Sequence, residues 1–279
     1  MVVLGIIVLL ASILLPAIAR AREESRRVAC MAHVRELTTA WLEYAWENRG
    51  HFCNAETQGA PPDNDPNQWL FIASQTYNTF HLAGYPDPPP RWFWSWIAGG
   101  SGKISVQRGK LWPYVKNADV YQCPGDPFVH ANSYQINGML AGEVGNPRTM
   151  MMLSQIHRPE ATFVFIESYD SHGWLINSFQ TPLYPYPAFK STPGINHMAR
   201  GGGGAGCMMS FADGHASFWQ YADSRTSQIV ASGGKNVIVI PANGSNNAFL
   251  KGPGGATGSP DVFQLEAWSG AKGPPGICP

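Results

Sequence analysis

The first nineteen residues of the chain, MVVLGIIVLLASILLPAIA, contain no charged side chain. At about 1.5 Å per residue, a helix of this length is close to the thickness of a hydrocarbon core. Such a segment is unfavourable in water but stable in a bilayer or in a bundle of similar helices. Residues 1–19 are therefore predicted to form a transmembrane or filament-core helix. The packing side chains are predicted to be Val2, Val3, Leu4, Ile6, Ile7, Leu9, Leu10, Leu14, Leu15 and Pro16.

The helical pattern continues beyond the charged cluster that runs from Arg20 to Arg27. Apolar residues recur every three or four positions, and residues 17–49 contain no proline. Residues 20–49 are thus predicted to be an amphipathic continuation of the same helix, giving a rod of about 48 residues and roughly 70 Å that ends near Gly50. Pro16 is predicted to break the helix locally. The residues expected to pack against a head are Val34, Leu37, Trp41 and Tyr44.

The apolar start of the chain allows other interpretations. Ala17-Ile18-Ala19 resembles the small-residue site of a cleaved secretory signal. A basic region before the apolar stretch is absent, and the helical pattern runs through that site. A plain single-pass anchor is the second alternative.

The composition changes after Gly50, and residues 50–221 are predicted to form a β-rich head. Thr162 to Glu167 is rich in β-branched and aromatic residues and predicts a strand. Two apolar runs flank Asp213-Gly214, which predicts a hairpin with positive φ at both turn positions. Residues 222–279 are Gly- and Pro-rich and predict a loosely ordered extension or an edge of the sheet, with a strand at 236–240. The predicted fold class is α+β, a long helix packed on an antiparallel sheet.

Five widely spaced cysteines occur, and none forms a Cys-x-x-Cys pair. One or two disulfides are expected outside the cytoplasm, with at least one thiol left over. Spacing does not decide the pairing, and we take Cys53 with Cys123 as the working expectation.

The charge balance and the motifs argue against two classes of function. The formal net charge is zero, which removes the electrostatic argument for nucleic-acid binding. No recognisable catalytic or phosphate-binding motif occurs, so we expect no enzyme activity. Glu167, Asp170 and Asp213 are candidate oxygen ligands for Ca²⁺, although Asp213 is equally explained as a turn residue. Otherwise no cofactor is expected.

The run LLASILLPAIARAREESRRVACMAHVRELTTAWLEYAWENRGHF resembles the start of bacterial prepilin-type proteins, including type II secretion pseudopilins. Its features are Pro16, the Arg20 to Arg27 cluster, Cys30, Leu37 and Tyr44-Ala45. Tyr121-Gln122-Cys123-Pro124 also resembles an element of that family. His197 followed by Asp213-Gly214 resembles the His-(nine residues)-Asp-Gly signature of one subfamily, with a longer spacing here.

The resemblance implies a pilin-like subunit of a type IV pilus or type II secretion filament. It implies a head outside the inner membrane or an extracellular filament, with the bilayer and copies of this or related subunits as partners. It also implies an upstream leader that a prepilin peptidase removes before N-terminal methylation; alignment on Pro16 places Met1 about six residues inside the mature helix. The alternative is a membrane-anchored glycan-binding protein that does not polymerise, suggested by the tryptophan-rich run Arg91 to Trp96.

Overall fold

The structure, a computed structural model, describes residues 2–55, 67–70, 106–126, 132–142, 149–169, 178–179, 192–194, 196–198, 205–222, 264 and 268. Its dominant element is helix α1, Val2–Glu47, which is continuous over 46 residues. The predicted rod is thereby confirmed. The helix ends where Arg49 adopts a left-handed φ of 58° and the Gly50 N–H donates to the Ala45 carbonyl, which satisfies one of the last free carbonyls.

Six short strands form an antiparallel sheet, β1 (Tyr134–Ile136), β2 (Phe163–Tyr169), β3 (Thr192–Pro193), β4 (His197–Met198), β5 (Ala205–Phe211) and β6 (Ala216–Gln220). The path through the sheet is β1-β2-β5-β4, with β3 added to β2 and β6 added to β5. The centre is the β2–β5 pair, in which Ile166 lies opposite Met209. A long helix and an antiparallel sheet make the chain α+β, as predicted, and β2 covers the strand predicted from Thr162 to Glu167.

Strand β5 is buried at all seven positions because both faces of the sheet are covered. On one face, Met208 packs into the core that contains α1. On the other, Met209 and Phe211 pack with Trp219 in a second apolar layer. Trp268 joins this layer, with its ring 5.5 Å from Phe211 and 5.7 Å from Trp219.

Trp268 lies in the segment 222–279, which was predicted to be a loosely ordered extension or an edge of the sheet. It packs on the second face of the sheet. Its indole supplies apolar area that a Gly/Pro-rich composition does not reveal. The strand predicted at 236–240 lies outside the described residues.

A short helix, α2 (Trp112–Val115), and a 3₁₀ turn, Ala118–Tyr121, lead from the head towards Cys123. The Asp126 N–H donates to the Cys123 carbonyl and closes the Cys-Pro turn. This turn brings Cys123 to α1, where His33 Nδ1 lies 2.8 Å from the Gln122 carbonyl oxygen. His33 is half-buried in this contact.

Candidate functional site

The N-terminal half of α1 is exposed along its apolar side chains. From Val3 to Ile18, the large apolar side chains are between 46% and 70% exposed. We call Val3–Ile18 the exposed segment. It includes the predicted packing residues Val3, Leu4, Ile6, Ile7, Leu9, Leu10, Leu14 and Leu15.

Helix α1 is long and apolar enough to cross a membrane, and no residue of its apolar 18-residue window is buried in the molecule. A secretory signal near the N-terminus meets the same criterion of length and composition. The length and composition of α1 are consistent with a single-pass membrane anchor.

Pro16 does not break the helix, contrary to the sequence prediction. Helix α1 includes Pro16 without interruption. A proline ring removes one backbone N–H, so the cost is one hydrogen bond to the carbonyl one turn earlier. The remaining bonds of a long helix keep its ends aligned, and prolines are tolerated in this way in membrane-type helices.

The C-terminal half of α1 packs on the head through the predicted residues. Val34, Leu37 and Trp41 have no exposed area, and Tyr44 is 7% exposed. Their spacing of three or four residues places them on one face of the helix. Trp41 stacks on Phe52, with ring centroids 4.6 Å apart. The helix-packing prediction is confirmed at all four positions.

A disulfide ties the helix to the head, but not through the expected cysteine. Cys30 of α1 is bonded to Cys123, with Cα atoms 5.3 Å apart, whereas Cys53 is a buried free thiol. The predicted pair of Cys53 and Cys123 is therefore wrong. Cys30 precedes Val34 by one helical turn on the packed face, so folding the helix onto the head brings its sulfur to the Cys-Pro turn.

His197 lies beside this disulfide and is fully buried. Its Nε2 is 3.2 Å from Cys123 Sγ and 3.2 Å from Glu167 Oε1. Its Nδ1 is 3.1 Å from Glu23 Oε1 on α1. Cys30, Cys123, Glu167 and His197 are called the buried cluster below; their ligand-type atoms all lie within 4.8 Å of one another.

The charges around His197 favour its protonated form. Burial opposes that charge, but the carboxylates of Glu167 and Glu23 outweigh burial and raise the pKa of His197 above its usual value. A protonated imidazole can then donate one N–H to each carboxylate. His197 thereby connects helix α1 to strand β2.

Glu167 is the carboxylate at the centre of the sheet, and it is fully buried. Its Oε2 accepts a hydrogen bond from the Met208 N–H at 2.9 Å. Its Oε1 makes no aligned hydrogen bond within the described part of the chain, although it faces His197 Nε2. The carboxylate is thus fixed on one side and directed into the buried cluster on the other.

The predicted calcium site is not assembled. Glu167 accepts a hydrogen bond from the Met208 N–H, in the middle of β5. Asp213 follows Phe211, the last residue of β5, which places it more than about 10 Å from Met208 along the strand. Asp213 Oδ1 accepts the His215 N–H at 3.1 Å and lies 2.6 Å from His215 Nδ1. Asp213 therefore has the alternative role of a turn residue, because the hairpin holds it away from Glu167. Asp170 lies outside the described residues.

The Asp213-Gly214 hairpin is confirmed, with a different turn. The Gly214 N–H donates to the Phe211 carbonyl, and the Phe211 N–H donates to the His215 carbonyl. The loop is therefore three residues long, and Gly214, with φ of +91°, is its residue of positive φ. A type I turn followed by a left-handed residue gives this arrangement. His197 and Asp213-Gly214, which the signature groups together, lie at different ends of β5.

Two glycines allow the chain to close around the buried cluster. A Cβ on Gly125 would lie 2.8 Å from His197 Cε1, and one on Gly194 would lie 3.2 Å from the Cβ of Glu167. The Gly125 N–H also donates to Cys123 Sγ at 3.2 Å. A side chain at either position would displace the buried cluster. The backbone at Gly125 and Gly194 therefore packs directly against it.

Sequence reasoning did not group Cys30, Cys123 and Glu23 with His197. One signal was present, since Glu167 is a lone charged residue inside the otherwise uncharged strand FVFIESY. A carboxylate on a central strand requires a partner. That partner is His197, which also contacts Glu23. His197 and Glu23 are 174 residues apart in the sequence, so only tertiary folding brings these groups together.

The tryptophan-rich run Arg91 to Trp96, on which the glycan-binding alternative rests, lies outside the described residues. Comparisons with protein-family models, with curated proteins and with solved structures find no match.

Proposed function

We propose that this chain is a pilin-like structural subunit. In this proposal, the exposed segment lies in the bilayer before assembly and among copies of itself or related subunits in a type IV pilus or type II secretion filament. The observation that carries the proposal is the division of one helix into two halves: the second half buries one face against the head, and the first presents apolar side chains to its surroundings.

Covering the exposed segment with lipid or protein is favourable in free energy. Eleven large apolar side chains between Val3 and Ile18 are each roughly half exposed or more. Full burial of such a side chain contributes about 1.5–3 kcal/mol, so covering their exposed fraction contributes about 10–20 kcal/mol in total. A lipid bilayer supplies that cover, as does a bundle of identical helices.

The disulfide supports a location for the head. Cys30–Cys123 is the kind of bond that persists in oxidising compartments. We therefore propose an extracytoplasmic head on a single span of the inner membrane, or an extracellular filament. A prepilin peptidase acting on an upstream leader, followed by N-terminal methylation, belongs to the same proposal. It assigns no catalytic role to the chain.

Membrane insertion is tested by replacing Leu14 and Leu15 together with lysine in the full chain. A lysine costs about 2.5–3.5 kcal/mol at the centre of a span and less towards its ends, where Leu14 and Leu15 lie, so the double variant is expected to be depleted from the membrane fraction. Met151→Lys is the matched control, because Met151 is 50% exposed but belongs to the head. If the double variant remains in the membrane fraction as fully as the control, the exposed segment is not an anchor.

Assembly is tested separately by placing a cysteine at Leu10. Mild oxidation in membranes is expected to cross-link Leu10→Cys chains into dimers, while Met151→Cys chains remain monomeric. Anchored chains that never cross-link through the exposed segment would contradict the filament proposal and support a plain membrane anchor.

A further inference from the structure

We propose that the buried cluster binds one Zn²⁺ ion when the Cys30–Cys123 bond is reduced. The site would use Cys30 Sγ, Cys123 Sγ, His197 Nε2 and Glu167 Oε1. Zn²⁺ would then replace the disulfide as the link between helix α1 and the head.

The arrangement of donor atoms fits a zinc ion. The four ligand-type atoms lie within 4.8 Å of one another. Bond lengths of about 2.0–2.3 Å in a tetrahedron put zinc ligands about 3.3–3.8 Å apart. His197 Nε2 is already 3.2 Å from both Cys123 Sγ and Glu167 Oε1. Opening the S–S bond lets the two sulfurs separate to zinc distances with small side-chain rotations.

The hydrogen bonds around the cluster leave the right atoms free. Glu23 accepts from His197 Nδ1, which directs the Nε2 lone pair into the cluster when the ring is neutral. The Met208 N–H holds Glu167 Oε2, and Glu167 Oε1 is buried without an aligned partner among the described residues. The Gly125 N–H donates to Cys123 Sγ, a contact that stabilises a thiolate.

The chemistry of the interconversion balances. A dithiol reductant donates two electrons and two protons to the S–S bond, giving two thiols, and is itself oxidised to a disulfide. Zn²⁺ then displaces both thiol protons and the proton on His197 Nε2. Two thiolates and one carboxylate give three negative charges against the two positive charges of the metal. Four protein ligands in a closed site are the pattern of a structural zinc centre, with no open position for substrate.

The test uses the full chain in detergent micelles, with Zn²⁺ and Co²⁺ as probes. The reduced chain, freed of reductant without air, is expected to bind one ion per chain, and the oxidised chain none. Bound Co²⁺ is expected to show tetrahedral visible bands and thiolate-to-cobalt charge transfer. A chain carrying Cys53→Ser and Cys207→Ser is the control and is expected to keep both signals, because neither thiol is in the cluster.

Two variants sharpen the assignment. Cys123→Ser is expected to weaken the charge-transfer band and lower Zn²⁺ affinity. Glu23→Gln changes the partner of His197 Nδ1 and none of the four ligand atoms, so it is expected to lower affinity about 10–100-fold without changing the Co²⁺ spectrum. If the reduced chain unfolds without metal, Zn²⁺ is expected to restore its circular dichroism. Equal binding by the oxidised chain, loss of binding in the Cys53/Cys207 control, or no binding and no refolding of reduced wild type would each overturn the proposal.

Discussion

Reduction of the Cys30–Cys123 bond is expected to destabilise the head by a large and calculable amount. The bond closes a loop with a sequence separation of 93. In the chain-entropy treatment, a loop of that length corresponds to about 4.7 kcal/mol at 25 °C. Strain in the folded state and residual structure in the unfolded chain reduce the observed value, so we expect a loss of about 2–5 kcal/mol.

The assay is urea unfolding of the full chain in micelles, followed by tryptophan fluorescence with and without dithiothreitol. A chelator is present throughout, so that no metal replaces the bond. Wild type is expected to lose stability on reduction, and Cys30→Ala is expected to be unaffected by the reductant.

Cys53→Ala is the matched control, because Cys53 is buried but forms no disulfide in the structure. It is expected to retain the full effect of reduction, even if loss of the buried sulfur lowers its overall stability. A reductant effect that persists in Cys30→Ala and disappears in Cys53→Ala would refute the pairing and restore the one expected from sequence.

Three further outcomes follow from the packing. Leu37 is fully buried, so Leu37→Ala should lower the free energy of unfolding, measured in urea, by about 2–5 kcal/mol. Its neighbour Glu36 is exposed, so Glu36→Ala should change that free energy by less than about 0.5 kcal/mol. Gly214 has a φ of +91°, so Gly214→Ala should lower the free energy of unfolding by about 1–2 kcal/mol in the same assay, and Gly214→Asn should lower it by less. Equal effects of the two substitutions would argue against the left-handed turn. Burial raises the pKa of Cys53 to about 12. Iodoacetamide near neutral pH should therefore alkylate Cys53 slowly until urea unfolds the chain, as measured by mass spectrometry. Rapid labelling of Cys53 in the folded chain would contradict its burial.

The elements of the fold that depend on local sequence were predictable. Helix α1 follows from an uncharged stretch joined to a helical apolar pattern, and its packed face followed from the spacing of Val34, Leu37 and Trp41. The hairpin followed from Asp213-Gly214. Its turn type did not, because the same dipeptide serves both two-residue turns and three-residue turns that end in a left-handed glycine.

The buried cluster could not be predicted, because it is assembled from distant parts of the chain. Cys30 comes from the helix, Cys123 from a turn, Glu167 from strand β2 and His197 from strand β4. Which cysteine meets Cys123 depends on where the Cys-Pro turn docks along α1, and helical spacing alone does not give that position. The grouping of Asp213 with Glu167 was wrong for the same reason, since it was made without knowing the strand register.

The position of the disulfide also sets how the molecule transmits force. Tension between the exposed segment and the sheet leaves the helix at Cys30 and enters the head at Cys123 through a covalent bond. This covalent path bypasses the intervening polypeptide, with its sequence separation of 93. Tension is thus shared between the packed face of the helix and two sulfur atoms next to a histidine.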